Sequence, residues 1–193
     1  MKIKTLISIC IIGLMVSCAP ATKLEKSWAD PSLTPETIQA VKKVLVVAAL
    51  PDESSKRIAE DKIVGQLKNI QGIQSYTYLT SADTDQKQVA EKLKKGGFDG
   101  IILFRLKEVE KSTSYTPGTA YGGWYGYRYS SPGYYSENET FMVETNLYSL
   151  VSDKLLWSGT TSTLNPTSLD KTMDQIIAAI RFELQKKGFI KAK

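Results

Sequence analysis

The feature that most constrains the fold is the run at residues 43–50, in which every position after Lys43 is apolar. Such a run, rich in β-branched residues, is typical of a strand that is covered on both faces. Residues 73–79 and 98–105 form two further extended segments, and helical apolar spacing separates the three. The order βαβαβ predicts a parallel sheet with right-handed crossovers and the first strand in its centre.

Each of the two intervening helices shows a buried stripe. In the first, Ala59, Ile63 and Leu67 recur at helical spacing, and Glu60 falls elsewhere on the wheel among the charged residues. In the second, the stripe is formed by Val89 and Leu93. Both helices are therefore expected to pack against the sheet.

The second half of the chain changes pattern. Residues 139–150 and 154–164 alternate between apolar and polar side chains, which predicts two antiparallel strands added to the sheet. Residues 165–168 cap a last helix, whose stripe includes Met173, Ile176 and Ile180. The fold class predicted is α/β, leaning to α+β, with one mixed sheet in the order βαβαβ-ββα and helices mainly on one face.

The first 18 residues predict where the protein is held. Lys2 and Lys4 precede an apolar run at residues 6–16, which has the layout of a secretory signal and is shorter than the ~20 residues of a spanning helix. The end, Met15-Val16-Ser17-Cys18, resembles a bacterial lipobox. This resemblance implies cleavage before Cys18, a diacylglycerol on its sulfur and acylation of the new amino group. The alternative is an ordinary signal peptide with an incidental cysteine.

Four regions are predicted along the chain. Residues 1–17 are a lipoprotein signal peptide, residues 18–41 a lipid-anchored tether, and residues 42–190 an α/β domain with an insertion at 115–135. The tether is predicted because the segment holds three prolines, few apolar residues and no sustained period. Trp28 within it either docks on the domain or lies at the membrane interface, and Thr34-Pro35 is typical of a short helical turn.

Composition excludes several kinds of site. The sequence has no His, so Ser-His-Asp triads, His acid–base catalysis and His metal sites are excluded. Cys10 leaves with the signal and Cys18 takes the lipid, so no thiol or disulfide is expected in the mature domain. Loss of Lys2 and Lys4 lowers the net charge from +5 to +3, which does not indicate nucleic-acid binding. No cofactor and no metal are predicted.

The segment between residues 115 and 135 has an unusual composition, since it holds seven of the ten tyrosines of the chain and five glycines. Loops longer than ~12–15 residues are uncommon and tend to be functional or disordered, and Tyr with Gly suits adaptable recognition. The hypothesis is a contact surface for a protein partner, a second copy, a glycan or lipid headgroups. The alternative is a low-complexity hairpin extension. The candidate binding residues are Tyr115, Tyr121, Trp124, Tyr125, Tyr127, Arg128, Tyr129, Tyr134 and Tyr135.

Acidic residues follow the predicted strands, where they are candidates either for a cation site or for helix caps. Carboxylates at that edge of an open sheet could hold Mg²⁺ or Ca²⁺. Helix capping explains them more simply, because acidic side chains accept from the free N–H groups of a first turn. The set comprises Asp52, Glu53, Asp83 and Asp85, with Arg105 nearby.

The phrase at residues 147–159, a turn followed by Leu-Leu-Trp-Ser-Gly, together with the element order, resembles small envelope lipoprotein domains. The amino-terminal domain of TolB and CsgG-type secretion lipoproteins have a comparable α/β plan. The resemblance implies a non-enzymatic binding or assembly module of the bacterial cell envelope, attached to the membrane through Cys18, with Ala19 favouring the outer membrane. The alternatives are an accessory subunit of an export or transport machine and a hydrolase that uses carboxylates.

Overall fold

The structure, a computed structural model, describes residues 21–83, 85–118, 120–122, 128–130 and 132–191. Its strands are β1 (Thr22–Ala29), β2 (Lys43–Ala49), β3 (Gln71–Gln74), β4 (Gly100–Thr116), β5 (Ala120–Gly122), β6 (Arg128–Ser130), β7 (Tyr134–Ser149) and β8 (Lys154–Leu164). Its helices are α1 (Pro35–Ala40), α2 (Glu53–Gln66), α3 (Ser75–Tyr78), α4 (Gln86–Lys95) and α5 (Leu169–Lys186).

One mixed sheet of six strands has the order β1-β8-β7-β4-β2-β3, and β5 and β6 pair separately. The strand β2 runs parallel to both β3 and β4, whereas β4, β7, β8 and β1 are antiparallel to one another in turn. The predicted α/β class, the mixed sheet and the central position of β2 within the parallel part are confirmed.

The two faces of β2 are covered by different helices. On one face Val44, Val46 and Ala48 belong to a buried cluster with side chains of α2 and α5. On the other face Leu45 packs with Leu93 of α4. Burial on both faces is the reason that residues 43–50 form a continuous apolar run rather than an alternating one.

A third cluster fixes α5 on the antiparallel half of the sheet. Trp157 of β8 is 2 % exposed and packs near Ile180 and Leu184 of α5. Its ring lies over Gly159, where a Cβ would stand 2.2 Å from a ring carbon. The Trp-Ser-Gly phrase is therefore a packing device, in which the missing side chain at Gly159 leaves room for the indole.

The prediction of a tether over residues 18–41 is wrong for the part that forms β1 and α1. The strand β1 pairs antiparallel with β8 from Thr22↔Thr163 to Ala29↔Trp157 and forms an edge of the sheet. Its buried end is polar, because the Thr22 hydroxyl hydrogen-bonds to the Thr163 hydroxyl and donates to Gln175 Oε1. A strand attached through hydroxyls shows no hydrophobic alternation, so the pattern of the sequence did not reveal it. The short helix at Thr34-Pro35 is confirmed, with Thr34 as its N-cap.

The second predicted strand, residues 73–79, is shorter than expected. The strand β3 ends at Gln74 and the chain turns at once into α3. On the side of β3, the strand β2 consequently has no paired neighbour after Val46↔Gln74, although β4 continues beside its other edge to Ala49. Beyond this point the backbone N–H of Ala48 needs another partner, since a buried N–H without one is costly.

Glu60 supplies that partner, which corrects the expectation that it lies among solvent-facing residues of α2. Its side chain is fully buried. Its carboxyl group accepts hydrogen bonds from Ala48 N (3.0 Å), Ser75 Oγ (2.6 Å) and Tyr76 N (3.3 Å). One side chain thus joins α2, β2 and the start of α3.

Replacing Glu60 with Ala is expected to lower the free energy of unfolding by about 3 kcal/mol or more, because each buried donor left without an acceptor costs about 1–3 kcal/mol. Urea unfolding of the two proteins measures the difference. The matched control is Asp61→Ala on the same helix, whose side chain is exposed and accepts from Gln74 and Tyr76 Oη; its loss should stay below about 1 kcal/mol. Equal losses in the two variants would contradict this role of Glu60.

Candidate functional site

The candidate site is a two-stranded arm that projects from one end of the sheet. The pairing of β4 with β2 stops at Arg105↔Ala49, and that of β7 with β8 stops at Thr140↔Leu164. The strands β4 and β7 nevertheless stay paired to Thr116↔Tyr134. We call residues 111–116 and 134–139 the arm. Its six residue pairs give it a length of about 20 Å.

Aromatic rings cover the far end of the arm. The exposed fractions of Tyr115, Tyr134 and Tyr135 are 54 %, 62 % and 73 %. The rings of Tyr115 and Tyr135, which are direct cross-strand partners, lie with their centroids 4.7 Å apart. Such aromatic pairs stabilise a ribbon that has no core beneath it, and they leave most of the ring surface open to a ligand.

The charged residues of the arm, Lys111, Glu137 and Glu139, lie in the half nearer the sheet. Lys111 Nζ donates to Glu139 Oε1 across the two strands at 2.9 Å, and this hydrogen bond raises the pKa of Lys111. Arg128 is the only charged residue in the sequence between Lys111 and Glu137. The arm therefore joins a charged base to an almost uncharged, aromatic end.

The remaining candidate residues are described only in part. Between the ends of the arm, β5 and β6 pair through Tyr121↔Tyr129 and Gly122↔Arg128. Trp124, Tyr125 and Tyr127 lie outside the described residues, as does Cys18, the predicted lipidation site. The structure thus brings Tyr115 and Tyr135 into contact and places Tyr134, the cross-strand partner of Thr116, at the same end of the arm.

The acidic residues at the strand ends have structural partners. Asp52 caps α2 by accepting from Ser55 N, and Asp85 caps α4 by accepting from Gln88 N. Asp83 pairs with Lys92, Glu53 with Arg57, and Arg105 with Glu144 of β7. Within the ranges that the structure describes, no three potential metal ligands gather. Capping and ion pairing therefore account for the whole set.

A row of polar side chains on the sheet, formed by Arg105, Glu144 and Asn146, was not predicted from the sequence. Glu144 accepts from Asn146 Nδ2 at 2.8 Å and from Arg105 at 3.0 Å, and these hydrogen bonds lower its pKa, that of Asn146 contributing most. Asn146 is 4 % exposed, and its Oδ1 has no partner among the described groups. Alternation had indicated that Glu144 and Asn146 share a face, but only the pairing register places Arg105 beside Glu144.

The described part of the chain offers a shallow cleft rather than a deep pocket. A space of about 460 Å³ lies between α3 and the end of α4. Its lining consists of Tyr78, Gln88, Glu91, Lys92, Lys95 and Gly96. Of these residues, Lys92 is already paired with Asp83. Among the described helices, none is both long enough and apolar enough to cross a membrane.

Comparison with known proteins gives only distant likenesses. No family model matches the sequence, and no curated protein matches it. Solved structures that resemble it include the PelC dodecamer from Paraburkholderia phytofirmans, with 13 % identity over 79 % of this chain and 89 % of that one and a TM-score of 0.42. Lipoprotein GNA1162 from Neisseria meningitidis has 13 % identity over 75 % of this chain and 99 % of that one, with a TM-score of 0.42. TolB from Acinetobacter baumannii has 14 % identity over 86 % of this chain and 31 % of that one, with a TM-score of 0.38. The similar structures thus include a bacterial lipoprotein and an oligomer. At these TM-scores, the likenesses are too distant to carry function or assembly to this chain.

The ion pair at Asp83 predicts a specific pH dependence of stability. The hydrogen bond from Lys92 Nζ (2.7 Å), together with those from the Thr80 N–H and hydroxyl groups, lowers the pKa of Asp83 to about 2. A lowered pKa means that the ionised carboxylate favours the folded state. Its contribution is full above the pKa of about 3.9 of an unfolded Asp and is lost as the pH falls towards 2.

Asp83→Asn should therefore have a lower Tm than the unmodified protein at pH 7, and the gap should close between about pH 4 and 2. Thermal unfolding followed by circular dichroism over this range checks it. Glu91→Gln, an exposed position of α4, is the control and should show little difference at any pH. A gap that persists at pH 2 would mean that Asp83 acts through its shape rather than its charge.

Proposed function

We propose that the protein is a lipid-anchored component of the bacterial cell envelope, attached at Cys18 to the outer membrane, and that it acts as a non-enzymatic binding or assembly module. The location is supported by the first 18 residues, where two lysines, a short apolar run and a cysteine follow one another. Acyl chains contribute about 0.8 kcal/mol for each buried CH₂, so two or more of them hold a protein permanently.

The observation that carries the binding role is the arm. An unsupported ribbon of about 20 Å contributes little to the core, yet its end presents Tyr115, Tyr134 and Tyr135 at 54–73 % exposure. Tyrosine offers a large, rigid contact area at low entropic cost. Exposed aromatic surface of this kind is typical of a contact site rather than of a monomer's ordinary surface.

An enzymatic role has less support. The sequence contains no His, and the strand-end carboxylates are engaged as caps and ion-pair partners. The remaining alternative, an accessory subunit of an export or transport machine, is a particular case of the binding role. It predicts co-purification with membrane proteins.

The test compares the lipidated full chain with a variant that lacks the arm beyond its base. Because Lys111 and Glu139 are cross-strand partners, residues 112–138, which include Tyr115, Tyr134 and Tyr135, can be replaced by Asn-Gly, the sequence that favours a two-residue hairpin turn. Chemical crosslinking in cells, followed by mild-detergent purification, should recover a defined partner or oligomer with the full chain and lose it with the variant.

A second variant, Val151→Ser in the exposed β7–β8 turn, serves as the control and should keep every partner. If the shortened variant folds, fractionates with the membrane and retains all crosslinks of the full chain, the arm is not the binding surface. If neither protein fractionates with the membrane, the lipid-anchored assignment fails instead.

A further inference from the structure

The strand β1 begins at the end of the sheet from which the arm projects. Leu164 N donates to Ala21 O at 3.0 Å, and Leu164 is the cross-strand partner of Thr140. Ala21 and Thr140 therefore lie at the same level of the sheet, two strand spacings or about 10 Å apart. Residues 134–139 of the arm continue outward from this level.

The arm extends farther outward from this level of the sheet than the connection between Ala21 and Cys18 can. Only Ala19 and Pro20 lie between Cys18 and Ala21, so an acylated Cys18, three residue steps away, can lie at most ~11 Å from Ala21 even when the chain is fully extended. The arm reaches about 20 Å beyond Thr140. Because β7 lies two strands away from β1, the twist of the sheet inclines the two strands by about 45° to each other. The arm still extends about 14 Å when its length is projected on the direction of β1. The arm is thus longer than the connection to the lipid.

The chemistry of the arm changes along its length in the order that a membrane surface requires. Its base carries the ion pair between Lys111 and Glu139, which suits water. Its end carries exposed tyrosines, and the sequence from residue 112 to residue 136 has one charge, that of Arg128. Tyrosine is enriched where a bilayer meets water, because its ring is apolar and its hydroxyl group stays hydrated.

We propose that the arm is a second membrane contact, in which Tyr115, Tyr134 and Tyr135 sit among the headgroups of the same bilayer that holds Cys18. This inference rests on the proposed lipid anchor and names the ligand of the arm as a lipid surface. Two attachment points fix an orientation, whereas one lipidated residue leaves the domain free to rotate. The strands then point at the bilayer, and Val151, in the turn between β7 and β8, faces away from it.

Two structural features favour a lipid surface over a protein partner as the ligand of the arm. Because the connection at residues 18–20 is short, the end of the arm meets the bilayer whenever the strands are perpendicular to the membrane plane. The end also lacks the charged side chains that set register and orientation in protein interfaces, while a headgroup layer requires no register.

The test measures depth at two labelled positions of the lipidated full chain. Cys10 is removed with the signal and Cys18 is blocked by lipid, so Thr116→Cys and Val151→Cys each give a single reactive thiol. An environment-sensitive fluorophore is attached, and the protein is reconstituted in phosphatidylcholine vesicles with or without bromine near the headgroup end of the acyl chains. The label at position 116 should shift to shorter wavelength and lose at least half of its emission to the brominated lipid, and the label at position 151 should do neither.

A further variant tests whether the tyrosines, rather than the label itself, bring position 116 to the bilayer. Adding Tyr115→Ser, Tyr134→Ser and Tyr135→Ser to Thr116→Cys should restore the emission, while the protein still floats with the vesicles through Cys18. If the unmodified arm leaves the label at position 116 in water although the protein floats, the membrane contact is wrong and a protein partner for the arm is favoured. If the protein does not float, the lipid anchor and this inference fail together.

Discussion

The structure depends above all on the pairing of β4 with β7. This antiparallel ladder runs from Gly100↔Ser149 to Thr116↔Tyr134. It joins a parallel half, in which β2 is buried between helices, to an antiparallel half that ends with β1. The same ladder continues beyond the sheet as the arm. A single long hairpin therefore holds the two halves together and also carries the candidate binding surface away from the core.

Much of this architecture could be predicted because hydrophobic burial leaves a direct trace in sequence. The strand β2 is buried on both faces and shows an unbroken apolar run, and α5 has one buried side and shows a stripe that includes Met173 and Ile176. The part of β4 past Arg105 is mostly exposed, since strands that leave a sheet no longer bury their side chains. The candidate site was predicted from composition alone, because seven of the ten tyrosines lie between residues 115 and 135.

The rest was hidden because polar contacts leave no such trace. The buried end of β1 is polar and contacts its neighbours through hydroxyl groups. Glu60 resembles any surface acid until the early end of β3 leaves Ala48 N without a strand partner on that side. Which tyrosines meet depends on register, so the contact between Tyr115 and Tyr135 could not be read from their spacing. Likewise, the level of Ala21 relative to the arm follows only from the order of the strands.

The position of β1 has a consequence for biogenesis. Its hydroxyl contact between Thr22 and Thr163 closes a separation of 141 residues, and contacts between such distant positions form late because the loop entropy must be overcome first. The strand that is synthesised first thus cannot be seated until β8 has appeared near the carboxyl end. For a chain exported as proposed, the stretch beside Cys18 therefore stays open to the processing enzymes until β8 has been translocated, which gives acylation time to precede the seating of β1.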